Sequence, residues 1–397
     1  MSQRQKSDTI AIPTLFFAIG VTTVATLPVF MTGALTVQIA RSIDVTPAKL
    51  GLLVGSFFLS AVLSSVASGK FSETRGGTLL MRIGTIASSI SSLLIAGFGH
   101  SYLQILAFLI LGGITNGAIQ PAVNVYVASA VPRSRQGFAF GVKQAAIPVA
   151  TLLSGLAVPT LALTIGWRFG YVAIAIIGVV LAITLPRTKG VPRPPELPGT
   201  RMELRLGPLF TLAGGMALGA GAANALGAFL VSAAVRAGWA PGSAGLLAVV
   251  GSAAGLSARL LNGHFADRRG TRHFVVVARF VGLGSLGYLM FATGIGWLVL
   301  PATIISYGLG WGWNGLFNFA VVHTHRHAMG RATGITQSGA YLGSVLGPVV
   351  FGITASAVSF DAAWALNAVA AVGAALLILY GRSKLILARE AASPLAT

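Results

Sequence analysis

Twelve side chains in this sequence combine useful chemistry with suggestive spacing. Two are cations set inside apolar stretches, Lys143 and Arg259. Carrying an ion into hydrocarbon is expensive, so a charge within a membrane-length segment faces a watery path or a partner. Asn116, Gln120 and Asn124 fall at i, i+4 and i+8, and Trp311, Asn314 and Asn318 at i, i+3 and i+7. Each trio therefore shares one helix face. A polar stripe on an apolar helix must turn inward, toward a ligand or a neighbouring helix. Gln144 follows Lys143, Gln337 and Tyr341 lie one helical turn apart, and Asn224 closes the glycine-rich run Gly219-Ala220-Gly221-Ala222-Ala223-Asn224. A lysine in one half of the chain facing an arginine in the other would make a two-pronged anion site, shaped by these amides and rings. The competing reading is equally concrete. The amides would bridge helices, Arg259 would pair with a loop, and Lys143 would snorkel from about 7–8 Å up its helix at ~1.5 Å per residue.

The elements that hold these residues are read from composition and hydropathy. Of the 397 residues, 55% are hydrophobic and 9% charged, against roughly 25% charged in a soluble domain. Most of such a surface must face lipid. A membrane-spanning helix needs about 20 mostly apolar residues, and twelve segments qualify. Numbered 1 to 12, they cover 10–39, 48–68, 78–98, 102–130, 138–165, 168–186, 207–236, 242–262, 274–294, 298–322, 332–358 and 361–381. Between segments 6 and 7 lies Pro186-Arg187-Thr188-Lys189-Gly190-Val191-Pro192-Arg193-Pro194-Pro195-Glu196-Leu197-Pro198, whose prolines exclude a helix. The expected organisation is a six-helix bundle over 1–186, a linker over 187–206 and a second bundle with a short tail over 207–397. The fold class is all-α integral membrane, twelve transmembrane helices in two pseudo-symmetric bundles.

The net charge of +19 would ordinarily raise nucleic acid as a partner. Here the basic residues sit in short loops, which argues for the lipid bilayer and against nucleic acid. The termini, the loops on their side and the linker, with Arg82 just inside segment 3, hold 20 of the 27 Lys and Arg, whereas the opposite loops hold Arg41, Lys49, Arg168 and Arg236. By the positive-inside rule both termini are cytoplasmic, in a multi-pass protein of the cytoplasmic (inner) membrane. Met1–Thr9 leads into segment 1 without a small-residue cleavage pattern, so this start reads as a first transmembrane helix and not a signal peptide.

One motif occurs twice, 194 residues apart: Gly69-Lys70-Phe71-Ser72-Glu73-Thr74-Arg75-Gly76 and Gly263-His264-Phe265-Ala266-Asp267-Arg268-Arg269-Gly270. Each forms a polar hinge, after segments 2 and 8. Pro47 and Gly51 match Pro241 and Gly245 at the same offset, and Gly141-Val142-Lys143-Gln144 matches Gly334-Ile335-Thr336-Gln337 at 193. The element order is the same in both halves, which makes them parallel repeats about an axis normal to the membrane. Gly69 and Gly263 would let helices approach, Gly76 and Gly270 would permit a tight turn, and Glu73 and Asp267 would accept from helix N-termini or pair with arginines.

With twelve spans, a central linker and two Gly-x-x-x-Asp-Arg-x-Gly-type loops, the chain resembles the major facilitator superfamily over its full length. The second loop is the fuller match, because the first has Glu73 and Thr74 in place of the acid and first arginine. Gly166-Trp167-Arg168 is another pattern common in that family. The resemblance implies alternating access. It also implies gating of the cytoplasmic side by Gly69, Glu73, Arg75, Gly76, Gly263, Asp267, Arg268, Arg269 and Gly270. Arg259, in Ala258-Arg259-x-x-x-Gly263, looks like the helix 8 arginine that binds carboxylate in monocarboxylate and oxalate–formate transporters. A guanidinium fork suits a carboxylate. The expectation is secondary transport of a small organic anion, with a proton or an exchanged anion as the coupled species, by a monomer. Export of a neutral or amphipathic compound is the alternative, and a non-transporting membrane receptor a third.

Other chemistry is missing. The chain has no cysteine, no phosphate loop, no catalytic constellation and no expected metal or cofactor, so it does not read as an enzyme. Its eight acids all lie outside the middle of a segment, which argues against a buried-carboxylate proton relay and against a site for cations. His323, His325 and His327 cluster beside Arg326, where pH sensing, metal binding or simple loop charge are all open. Arg279 reads as a snorkelling residue. The runs Gly155-Leu156-Ala157-Val158-Pro159 and Gly343-Ser344-Val345-Leu346-Gly347-Pro348 read as sites of close packing and bending.

Overall fold

The computed structural model describes residues 12–75, 77–132, 136–186, 206–266, 273–325 and 329–390. All regular structure among them is helical. Helix 1 is Ile12–Ala34 with a short continuation at Thr36–Ile39, helix 2 Pro47–Arg75, helix 3 Gly77–Phe98, helix 4 Tyr102–Ala130 and helix 6 Arg168–Thr184. Helix 7 is Leu206–Arg236, helix 8 Pro241–Ala266, helix 9 His273–Ala292, helix 11 Met329–Ala357 and helix 12 Phe360–Glu390. Two spans are broken. Helix 5 runs as Gln136–Lys143, Ala146–Ala157 and a wider π turn at Val158–Ala162. Helix 10 runs as Gly296–Leu298, Val299–Ile305, a π segment at Ser306–Trp311 and Asn314–Thr324. Ten of the described helices are long and apolar enough to cross a bilayer, and Arg168–Thr184 is a shorter apolar one.

Local chemistry accounts for the ends. Pro47 and Pro241 open their helices at the first position, where the missing N–H has no bond to lose. Ser101 and Gln104 form a reciprocal capping box on helix 4. The break after Lys143 follows from Pro148, which cannot donate to the Gln144 carbonyl four residues back and whose ring clashes with it. Helix 2 continues to Arg75 and helix 8 to Ala266, beyond the expected ends at 68 and 262. No proline interrupts the helix 2 extension, and the Ser72 hydroxyl donates to the Ser68 and Gly69 carbonyls at 2.8 and 2.9 Å within it.

By packing, the chain forms two compact units, Met1–Glu196 with Gly227–Val249 and Leu197–Leu226 with Val250–Thr397. In the first, helix 4 lies along helices 2 and 3, helix 3 against helix 6, and helix 1 against helices 4 and 5. Small residues make this possible, because van der Waals contact replaces the hydrophobic effect between helices in lipid. A Cβ on Gly113 would collide with the Phe57 carbonyl oxygen, and one on Gly117 with that of Ala61. Beside them Ser60 and Ser64 donate across to the Ile110 and Ile114 carbonyls at 3.1 and 2.9 Å. Arg82 donates through Nε to the Ala182 carbonyl at 3.0 Å and also to that of Leu185, satisfying the end of helix 6. Arg168 donates to the Gly99 carbonyl and His100 Nδ1, both at 3.2 Å, so Gly166-Trp167-Arg168 ties helix 6 to the turn between helices 3 and 4.

Gly155 meets its packing expectation in this unit, since a Cβ there would lie 2.5 Å from the Gly245 carbonyl oxygen. In the second unit helix 9 packs along helix 12, and Gly343 and Gly347 press on the helix 7 backbone at Ala217 and Gly221. Gly69 departs from its expectation. A Cβ there would meet nothing within 4 Å, and the close approach is made by Gly77, against the Ala122 carbonyl oxygen. Replacing Gly117 with valine should therefore overpack the helix 2–helix 4 seam by about 1–3 kcal/mol. Gly69→Ala should leave stability unchanged. Melting of the purified variants compared with the wild type checks the contrast.

Candidate functional site

In the first unit the structure joins four of the expected residues into one chain of hydrogen bonds. Lys143 is 6% exposed and ends the first piece of helix 5. Its Nζ donates to Gln120 Oε1 and to Asn124 Oδ1, both at 2.8 Å. Gln120 Nε2 in turn donates to Asn116 Oδ1 at 3.1 Å. The i, i+4, i+8 register of helix 4 thus becomes a ladder, with two of its rungs holding the ammonium. The Lys143 side chain is thus turned onto helix 4 and held there, out of contact with solvent. Gln144 sits in the turn after it and is half-buried. Helix 1 adds buried threonines: Thr22 closes on Ala18 O at 2.7 Å, and Thr23 reaches Ala146 O of helix 5 at 3.4 Å.

In the second unit Arg259 is half-buried on helix 8 and donates through Nη2 to the Trp311 carbonyl oxygen at 3.4 Å. That carbonyl belongs to the last residue of the π segment. Glycines bring helices 8 and 10 together here: Cβ atoms on Gly251 and Gly255 would lie 2.6 and 3.2 Å from Tyr307, and one on Gly312 would lie 2.8 Å from Ala258. The Trp311 indole is buried against the Tyr307 ring, with centroids 5.4 Å apart. One turn on, Asn318 donates to Asn314 Oδ1 at 3.4 Å. Gln337 and Tyr341 are half-buried on helix 11.

Asn224 shows the helix-bridging alternative in action. Its Nδ2 donates to Ala220 O at 2.9 Å and to Ser344 Oγ on helix 11 at 3.0 Å. The sequence reading missed Asn367, buried on helix 12, which donates to Ala222 O at 3.1 Å. An amide in the middle of an apolar span was the available signal. Together these bonds pin the glycine-rich stretch of helix 7 from two sides. Arg279 is exposed. His323 stacks on Phe319 and lies 5.8 Å from the His273 ring, and His325 Nδ1 contacts Val321 O at 3.1 Å. His327 and Arg326 lie outside the described residues.

Of the expected gating residues, Gly76, Asp267, Arg268, Arg269 and Gly270 also lie outside the described residues. Glu73, Arg75 and Gly263 fall within helices 2 and 8. The acids that are described sit at helix ends or in loops. Asp44 pairs with Lys49 in the turn before helix 2, and Asp361 lies in the first turn of helix 12. Among the described residues the interior of the spans holds cations and amides without a carboxylate.

A family model described as Major Facilitator Superfamily matches residues 14–337 and 211–394. The chain belongs to that superfamily. The fold agrees: a bacterial homologue of the human lysosomal transporter Spinster, solved inward-facing and unoccupied, aligns over 98% of both chains with a TM-score of 0.70 at 15% identity. The same protein in an occupied inward-facing state gives 0.68. This member is therefore a multi-pass, all-α membrane protein of a transporter family. Among curated relatives, Quinolone resistance protein NorA of Staphylococcus aureus is 29% identical over 133 residues, 34% of this chain and 31% of that protein. The hexuronate transporter of Bacillus subtilis is 24% identical over 145 residues, 36% and 34% respectively. The chain thus matches about a third of the length of these relatives.

The Asn224–Ser344 contact yields a stability prediction. A double-mutant cycle with Asn224→Ala and Ser344→Ala should show coupling of about 0.6 kcal/mol, typical of interhelical hydrogen bonds in membranes. Additive losses would mean the bond holds nothing together.

Proposed function

We propose that this chain is a secondary active transporter moving a small organic anion, a carboxylate, across the cytoplasmic membrane by alternating access. The observation that carries the reading is Lys143, a buried ammonium whose hydrogen-bond partners are neutral amides. An ion in a low-dielectric interior is costly unless an opposite charge offsets it. Among the described residues the interior of the spans holds no carboxylate to do so, which leaves an anionic cargo as the natural counter-charge. Arg259 supports the same reading from the second unit. A guanidinium donates to a carboxylate bidentately and does not give up its proton at physiological pH. Gln144, Gln337, Tyr341, Asn224, Trp311, Asn314 and Asn318 complete the set of proposed cargo contacts. The duplicated loops are the proposed gates, with both termini in the cytoplasm and the two sequence halves, 1–186 and 207–397, as the moving bodies. The coupled species is a proton or a second anion, and the working unit is a monomer.

Partial similarity to a hexuronate transporter, whose named cargo is a sugar carboxylate, fits this reading. Export of an amphipathic compound is the second reading, favoured by the similarity to a quinolone resistance protein. The two separate in proteoliposomes offered acetate, lactate, oxalate and D-glucuronate in one series and a quinolone in another. On the anion reading Arg259→Ala should weaken carboxylate uptake about 10- to 100-fold, the worth of about 1.5–3 kcal/mol for a hydrogen bond to a charged group. Arg259→Lys should recover only part, since it keeps the charge and loses the fork. Carboxylate uptake unchanged in both Arg259→Ala and Lys143→Ala would sink the anion site. Quinolone movement indifferent to both variants would favour the exporter.

A further inference from the structure

Resting on the anion reading above, the geometry around Lys143 points to a coupled ion, and we infer that Lys143 carries a proton across the membrane together with the anion. An ammonium has three donors, and a neutral amine has two donors and a lone pair. Lys143 Nζ has two amide acceptors, Gln120 Oε1 and Asn124 Oδ1, at equal distances of 2.8 Å. Two acceptors satisfy both N–H groups of the neutral amine and two of the three in the ammonium. The proton can therefore leave without breaking either bond. A carboxylate partner would have locked the charged form instead.

The acceptors are held in this attitude. Gln120 commits its amide nitrogen to Asn116 Oδ1 at 3.1 Å, which turns Oε1 toward Nζ. Asn116 is 5% exposed and so is itself fixed by burial. Among the described residues, the elements packed most extensively on the first piece of helix 5 are helices 1 and 4. Helix 1 carries no Asp, Glu, His, Lys or Arg, and helix 4 carries only Tyr102 and Tyr126 as titratable groups. A proton handled by these three elements at neutral pH has Lys143 as its carrier.

Charge burial then dictates the coupling. Empty, the site is cheapest in the membrane with a neutral amine. Loaded, an ammonium beside a carboxylate is close to neutral as a pair. The anion thus raises the affinity for the proton, and the proton raises the affinity for the anion, by the same factor. Water on the loading side supplies the proton to the Nζ lone pair, and Nζ returns it to water as the anion leaves. Arg259 cannot take this part, because a guanidinium does not give up its proton.

The test uses the full-length protein in proteoliposomes, a pH-sensitive dye inside, and radiolabelled L-lactate and D-glucuronate as probes. In the wild type, uptake should acidify the lumen. An inward proton gradient of about one pH unit should accumulate lactate up to about tenfold. Lys143→Arg keeps a cation that cannot release its proton, so its label exchange should fall with the altered anion contacts, and the lactate it still takes up should only equilibrate under the pH gradient and never accumulate. Uptake without acidification in the wild type, or pH-driven accumulation intact in Lys143→Arg, overturns the proton role and leaves anion transport standing. Absence of lactate and glucuronate exchange in the wild type counts against the anion reading itself and takes the proton role with it.

Discussion

A cation buried among neutral partners is the constraint around which the described interior is organised. Buried inside the bundle, the Lys143 side chain needs polar partners in either protonation state, and amide oxygens from helix 4 supply them. That need explains why an apolar helix carries Asn116, Gln120 and Asn124 in one register. The break after Lys143 belongs to the same local design. Pro148 leaves the Gln144 carbonyl without its helical donor, immediately after the residue whose side chain is pinned.

Helix 4 could not hold the lysine without being held itself. Its first half is stripped to Gly112, Gly113 and Gly117 so that helices 2 and 3 can close on its backbone. Ser60, Ser64 and Ser91 then reach across to its carbonyls at 3.1, 2.9 and 2.7 Å. The second half swaps glycine for amide. Packing precision in one part of the helix thereby sets the position of polar groups in the other, with sequence spacing as the only link between them. In the second unit helix 7 is fixed comparably, by the glycines of helix 11 and by the amides of Asn224 and Asn367.

Much of this was legible in the sequence, for definable reasons. Segment length and apolarity give the spans, and the duplicated loop gives the repeat, because both are properties of contiguous residues. The ladder on helix 4 was legible because a 3.6-residue period places side chains on a face. What that period omits is the depth of a face and its neighbour. Lys143 therefore stood open between snorkelling and capture until helix 5 was placed against helix 4. The π segment of helix 10 differs from the piece before it in Gly308 and Gly310, where Val299–Ile305 has no glycine, but glycines recur through these spans without marking such a turn. Gly69 and Gly77 show the same limit. Both are glycines near the end of a span, and only the path of the neighbouring helix decides that Gly77 makes the contact.

The internal repeat separates what the two halves share from what each has alone. At the 194-residue offset Gln120 and Asn124 correspond to Asn314 and Asn318, and Asn116 to Gly310, while at 193 Lys143 corresponds to Thr336. Helix 10 keeps the amide pair without a cation, and the pair closes on itself, Asn318 to Asn314 at 3.4 Å. Thr336 is buried and donates to the Ala332 carbonyl of its own helix at 3.2 Å. In reverse, Arg259 corresponds at 194 to Ser65, which donates to Val62 O at 2.8 Å. Each cation thus stands where the other half has a hydroxyl satisfied by its own backbone. The frame tolerates the uncharged version at both places, so neither charge is required by helix packing. Stability gives no reason to bury a lysine in one half and an arginine at a non-equivalent place in the other. On the proposed reading an anionic cargo does, and the two cations differ in chemistry, a lysine being able to release a proton where an arginine is not.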